Sequence, residues 1–201
     1  MEEGKVWGAF HGTPCTTFSA ARNGPPGPRP LRDLKHPYGL PKTSLTIQEQ
    51  QEVRLGSYFA LKSAAFCKLM YEHNLPFGLE NPRPRKGIVS MFDLSEFVSL
   101  AALRGVSTVD FDQCPYGAET AKPTRVIFSE VDLTVLFAQC NHEPREWTWK
   151  DWHGRTVTAR RPHPPLAGRL RDSGEPATKA AAAYPSDLNL RLAEAFAPLI
   201  P

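Results

Sequence analysis

Apolar and polar positions along the chain change their period several times, and each change marks a new element. Residues 5–12 (KVWGAFHG) form an apolar run too brief for three helical turns and stopped by Gly12 and Pro14, so they predict a buried strand ending near His11. Thr46 followed three residues later by Glu49 reads as a capping box. Ile47, Val53, Tyr58, Leu61, Ala65, Leu69 and Met70 then recur at helical spacing until Asn74 and Pro76 stop the pattern. Residues 76–81 (PFGLEN) make a second short apolar run, and residues 94–103 (LSEFVSLAAL) a second amphipathic helix ended by Gly105. Residues 106–111 and 125–131 (RVIFSEV) supply two further strands. Strands alternating with helices predict an α/β sheet wound with helices.

The stretches between these elements are unusually long. Residues 13–43 are rich in proline and glycine, with scattered Arg and Lys, and predict a long loop of the kind that carries function in compact domains. Residues 141–176 hold Trp147, Trp149, Trp152 and arginines at 155, 160, 161, 169 and 171 with little periodicity, and predict an extended basic arm. Residues 177–201 close the chain with Ala-rich and then amphipathic helical turns that should pack on the sheet.

Composition narrows the class without naming a partner. A chain of 201 residues with 41% hydrophobic and 22% charged positions can bury one ordinary core, and its 20 prolines and 14 glycines agree with the long loops. A net charge of +3 permits nucleic-acid binding but does not argue for it. Cys15, Cys67, Cys114 and Cys140 are far apart in a chain too large to need disulfide staples, so they are expected as reduced thiols. The N-terminus MEEGKVWGAF lacks the basic and apolar regions of a secretory signal, and no apolar run is long enough for a membrane span. A soluble, intracellular protein without a membrane partner is expected. No metal is expected either: Cys114, Cys140, His142 and His153 contain no Cys-x-x-Cys pair, and Cys140-x-His142 is only half a site.

Ligands of an open α/β sheet bind beyond the carboxyl ends of its strands, which directs attention to the residues just after each predicted strand. After the first comes His11-Gly12-Thr13-Pro14-Cys15, a thiol on a Gly/Pro loop, and after the second comes Glu80-Asn81-Pro82. If these strands are parallel neighbours joined by the long helix, Cys15 and Glu80 converge. The segment from Tyr116 to Arg125 returns to the same edge with two cations, Lys122 and Arg125. A thiol, a carboxyl and a cation would share one pocket.

These segments resemble the cytosine-5 DNA methyltransferases. HGTPCTTFSAAR is similar to that family's Pro-Cys loop, LENP to its Glu-Asn-Val segment, and YGAETAKPTRVIF to its Tyr-Gly-Val-Pro-Gln…Arg…Arg segment entering a strand, all in the family's order. With GPPGPRPLRD, FDQCPYGAETAKPT and a late AAAAYP, the chain most resembles a divergent methyltransferase-like group of that superfamily. The resemblance covers roughly residues 5 to 135 and a weaker tail. It implies an incomplete doubly wound, Rossmann-like methyltransferase sheet with a long Pro-rich loop and a basic C-terminal extension. Residues 1–140 would form a partial catalytic domain, 141–176 the arm and 177–201 a helical segment.

The resemblance also implies roles. Cys15 matches the nucleophile that adds to carbon 6 of cytosine, and Glu80 the acid that protonates ring nitrogen 3, a task needing a raised pKa. Arg125, or Lys122, would stabilise charge on the base, because the spacing departs from the family's Arg-x-Arg and leaves the two open. Pro14, Ser19, Arg22, Asn81 and Lys122 are expected to contact substrate, and DNA with an extruded base is the implied partner. S-adenosylmethionine (AdoMet) is the implied cofactor, yet only ten residues precede His11, so the Gly-rich strand and acidic residue that hold it in the family are missing. The chain is therefore expected to need a complementary AdoMet-binding half, the alternative being a catalytically inactive nucleic-acid-binding fragment or a degenerate remnant.

Overall fold

The computed structural model of the chain describes residues 6–23, 28–150, 154–164 and 182–200. Trp152, His153, Arg169, Arg171 and the alanine run up to residue 181 lie outside the described residues.

Thr46 starts the long helix as its sequence requires. Its hydroxyl accepts from the Glu49 amide while the Glu49 carboxylate accepts from the Thr46 amide, and helix α1 runs Ile47–Glu72. Asn74, at φ 51°, supplies the left-handed residue just beyond its end. The helix connects strand β1 (Ala9–Gly12) to β2 (Phe77–Pro82), which lie parallel with Gly12 opposite Glu80. A short helix α2 (Ser95–Ala101) precedes β3 (Ser107–Asp112), and β4 (Pro123–Ser129) returns antiparallel to both β2 and β3. The resulting sheet is mixed, in the order β1-β2-β4-β3. One face packs on α1 and α2 through Phe77, Leu79, Ile127, Ala60, Cys67 and Phe97. The other packs on helix α3 (Ser186–Phe196) through Val126, Phe128, Leu188 and Leu192, so the C-terminal helix covers the sheet's second face with a hydrophobic cluster of its own.

Two expectations change. The buried stripe of α1 is Val53, Gly56, Ala60, Ala64, Cys67 and Met70, whereas Ile47, Tyr58 and Leu69 are exposed. Small residues line this stripe because other chain segments come close: a methyl group on Gly56 would lie 2.4 Å from the Thr17 hydroxyl. The basic arm is in part a hairpin, with β5 (Arg145–Lys150) antiparallel to β6 (Thr156–Arg161) in a separate two-stranded sheet. The tryptophans and β-branched residues of WTW and TVT favour strand, a signal masked in the sequence by the surrounding arginines and prolines.

The long loop is fastened by one buried cation. Arg32 is only 2% exposed and has no carboxylate partner among the described residues; it donates to Thr17 Oγ1, the Pro37 and Val53 carbonyls and Ser57 Oγ, with its guanidinium 3.9 Å above the Phe18 ring. Burial pulls its pKa down to about 10, with Arg22 adding to the effect, so it remains charged at neutral pH. Arg32→Ala strands two carbonyls and two hydroxyls and empties a buried volume. A loss of about 3 kcal/mol in chemical denaturation is expected. A loss below about 0.5 kcal/mol, the level of an ordinary surface substitution, would contradict this anchoring.

Candidate functional site

The carboxyl ends of β1 and β2 carry the site. Beyond β1 the chain makes a tight turn in which the Phe18 amide donates to the Cys15 carbonyl, leaving Cys15 half-buried. Three contacts hold this turn: Asn81 Nδ2 donates to the Thr13 carbonyl at 2.8 Å, Thr13 Oγ1 to Ser63 Oγ at 2.8 Å, and Arg22 Nε to the Thr16 carbonyl at 2.8 Å. Asn81 is 1% exposed, so the Glu-Asn-Pro segment is physically tied to the Pro-Cys loop.

Glu80 points to the opposite face of β2 from Asn81, because side chains alternate along a strand. It is 7% exposed and accepts a 2.8 Å hydrogen bond on Oε2 from the Tyr184 hydroxyl. The Lys122 ammonium lies 5.1 Å from the centre of the Tyr184 ring. Lys122 reaches this place from a backbone at φ 38°, with its carbonyl held by Thr124 Oγ1, itself held by the buried Gln113 side chain. Gly12 is required by close approach, since a methyl group there would lie 2.5 Å from the Tyr184 oxygen.

The charges in this cluster act on one another. Burial raises the Glu80 pKa, against the smaller lowering effects of the Tyr184 hydrogen bond and the Lys122 charge. Burial and the Glu80 charge raise the Cys15 thiol, while Lys122 opposes them. Burial lowers Lys122, while Glu80 and Cys15 pull it back up. Burial also raises Tyr184, with Glu80 adding to the shift, so the phenol stays a donor. The arrangement offers a protonatable carboxyl, a thiol and an ammonium side by side, suited to adding a nucleophile to a polar ring and protonating it.

Arg125 falls outside this group, which corrects its sequence-based assignment. It stands opposite Asn81 and Asp110 in the sheet register, on the other face from Glu80, and Asp110 clasps its guanidinium at 2.7 and 2.8 Å. Of the two cations left open, Lys122 is the one beside Glu80. Arg22 and Ser19 build the loop: Arg22 pairs with Glu52 at 2.5 Å and binds two carbonyls, and Ser19 caps the turn Ala20–Arg22. Pro14 is exposed next to Cys15. Tyr184 was missed as a site residue; its only sequence signal is the late AAAAYP, which carries no chemistry until the fold brings it to Glu80.

The described residues do not fit AdoMet. A nucleoside of this kind needs a glycine-rich turn and a free carboxylate for its ribose at the strand ends. The carboxyls there are already engaged, Glu80 by the Tyr184 hydroxyl and Asp112 by the Cys140 amide and Arg83. A hollow of about 350 Å³ on the other sheet face is lined by Phe92, Phe97, Val98, Thr108 and Arg125, with no acidic residue in its lining.

Four side chains that could hold a metal ion also come together in the fold. Sγ of Cys114 and Cys140 and ring nitrogens of His142 and His163 all lie within 4.8 Å of one another. Among the described residues no helix is long and apolar enough to cross a membrane. No family model, curated protein or solved structure matches the chain.

The raised Glu80 pKa has a thermodynamic consequence. Above the ordinary value of 4.5 the unfolded chain loses this proton while the folded protein keeps it. The stabilisation from protonation is therefore complete below that value and is lost as pH rises through the folded-state pKa. Wild type should lose stability relative to Glu80→Gln over this window in thermal melts. A wild-type-minus-variant difference that is flat from about pH 4 to pH 8 would contradict a carboxyl whose pKa burial raises.

Proposed function

We propose that this chain binds a cytosine extruded from DNA and activates it by adding the Cys15 thiolate to carbon 6, as in the cytosine-5 DNA methyltransferases it resembles. The observation that carries the reading is the convergence of Cys15, Glu80 and Lys122 at the ends of two parallel strands, close enough for each to shift the ionisation of the others.

The chemistry follows from the groups. Cytosine placed beside Cys15 with ring nitrogen 3 at Glu80 displaces the Tyr184 hydroxyl from the carboxyl. As the sulfur–carbon 6 bond forms, the carbon 5–carbon 6 double bond opens. A new double bond forms between carbons 4 and 5, and nitrogen 3 gains the electron pair. The Glu80 proton moves to nitrogen 3, so charge does not build up on the base. The Lys122 ammonium stabilises the thiolate before attack. Carbon 5 is then nucleophilic. Taking a solvent proton, losing the original hydrogen and expelling the thiolate returns cytosine, with nitrogen 3 giving its proton back to Glu80.

The second reading, nucleic-acid binding without turnover, is favoured by the Tyr184 hydroxyl already engaging Glu80. The hairpin adds a cationic aromatic surface, with Arg145 stacked 4.0 Å from the Trp147 ring.

Exchange of the cytosine 5-hydrogen in heavy water separates the two readings and needs no methyl donor. With an oligonucleotide and the full chain, proton NMR should show loss of the 5-hydrogen signal above the buffer rate. Cys15→Ser should return it to the buffer rate, and Glu80→Gln should slow it by about 10²-fold or more. Arg125→Met should leave the rate within a few-fold of wild type. Exchange that is the same in wild type and Cys15→Ser overturns the proposal, and binding of the oligonucleotide with no exchange establishes the second reading.

A further inference from the structure

The β5–β6 hairpin poses a structural problem that its own side chains do not solve. A lone two-stranded hairpin is marginal in water, and none of its residues enters the hydrophobic clusters of the described chain. Yet both of its ends meet at one place. Cys140 and His142 lie just before β5, His163 lies just after β6, and Cys114 stands in the turn Cys114–Tyr116 that follows β3.

We propose that Cys114, Cys140, His142 and His163 bind one zinc ion in a closed structural site that fastens the hairpin, and with it the loop leading to Lys122, to the end of the main sheet.

The two ligand separations from Cys140 are close to those of a tetrahedral site. Zinc–sulfur and zinc–nitrogen bonds of about 2.3 and 2.0 Å place sulfur and nitrogen ligands about 3.5 Å apart. Cys140 Sγ lies 3.6 Å from His142 Nδ1 and 3.2 Å from His163 Nε2, and the whole set spans no more than 4.8 Å. The ligands are also oriented from behind. His163 Nδ1 donates to the Glu119 carbonyl at 2.9 Å, which leaves the Nε2 lone pair facing the cluster. The Cys140 amide donates to Asp112 Oδ2 at 2.9 Å, fixing the Cys140 backbone beside β3.

Ligand chemistry selects the ion. Two thiolates and two neutral imidazoles are too soft for magnesium or calcium and match zinc, and the two thiolate charges cancel the ion's charge at a half-buried site. All four positions are taken by protein, so the ion has a structural rather than a catalytic role. Glu119, which orients His163, lies in the segment that delivers Lys122 to Glu80.

The full chain, purified without a histidine tag or chelator, should carry one zinc per chain by elemental mass spectrometry. Titrating cobalt(II) into the metal-free, reduced protein should give the visible absorption bands of a tetrahedral thiolate site. Cys140→Ser and His163→Gln should lower bound zinc to near zero, while Cys15→Ser retains it. Because a ligand variant could unfold, hydrogen exchange on wild type provides a second readout. The hairpin amides should lose protection on chelation before those of β2 and β4. Zinc-free protein that gives no tetrahedral cobalt spectrum overturns the proposal, as does zinc lost in Cys15→Ser but kept in Cys140→Ser, or a Cys114–Cys140 disulfide in the protein as isolated.

Discussion

A carboxyl group buried at the end of a strand, with no guanidinium to hold it among the described residues, sets the terms for everything around it. Glu80 at 7% exposure cannot ionise cheaply, and the fold answers with a phenol donor rather than a tight ion pair. That donor, Tyr184, stands just ahead of α3, more than a hundred residues away in the chain, so the docking of α3 through Leu188 and Leu192 is coupled to the state of the site. Gly12 has to lack a side chain for the phenol to enter. Lys122 has to adopt a positive-φ backbone conformation, uncommon for a residue other than glycine, to bring its charge near. Each of these features is costly alone, and each makes sense beside a carboxyl that must stay buried.

The legible part of this molecule was the part written in local pattern. The Thr46–Glu49 capping box, the Gly/Pro stop after β1 and the short apolar runs of β2, β3 and β4 are decided within a few residues, and they placed Cys15 and Glu80 at neighbouring strand ends. What stayed hidden depended on distant partners. The buried stripe of α1 is hard to read because its large residues, such as Tyr58 and Leu69, attract attention, whereas the loop lying close requires Gly56 and the core takes Ala60 and Ala64. Arg125 and Lys122 lie three residues apart, and only the register of β4 against β2 shows that Arg125 faces away from Glu80.

The Cys and His residues illustrate the same limit more sharply. Cys114 and Cys140 are separated by all of β4, and His163 follows a hairpin that the surrounding arginines and prolines concealed. Sequence spacing tests for a metal site only when pairs of ligands come from one turn, as in Cys-x-x-Cys. Here Cys140 and His142 are such a pair, but their partners come from two other turns and are recognisable only in space.

Three ties therefore bring distant segments to the same edge of one sheet, and they differ in strength. Arg32 holds the long loop to α1 through groups that are all deeply or partly buried, and Asn81 holds the Pro-Cys turn to β2. The third, the Cys and His cluster behind Glu119, holds the segment carrying Lys122 through groups that are half-buried or exposed, apart from Cys114. A shell built this way ties the Pro-Cys turn directly to β2, and leaves the cation on the segment that His163 reaches through the Glu119 carbonyl. The electrostatic balance among Cys15, Glu80 and Lys122 thus depends both on the docking of α3, which brings Tyr184 to Glu80, and on the segment that carries the Lys122 ammonium.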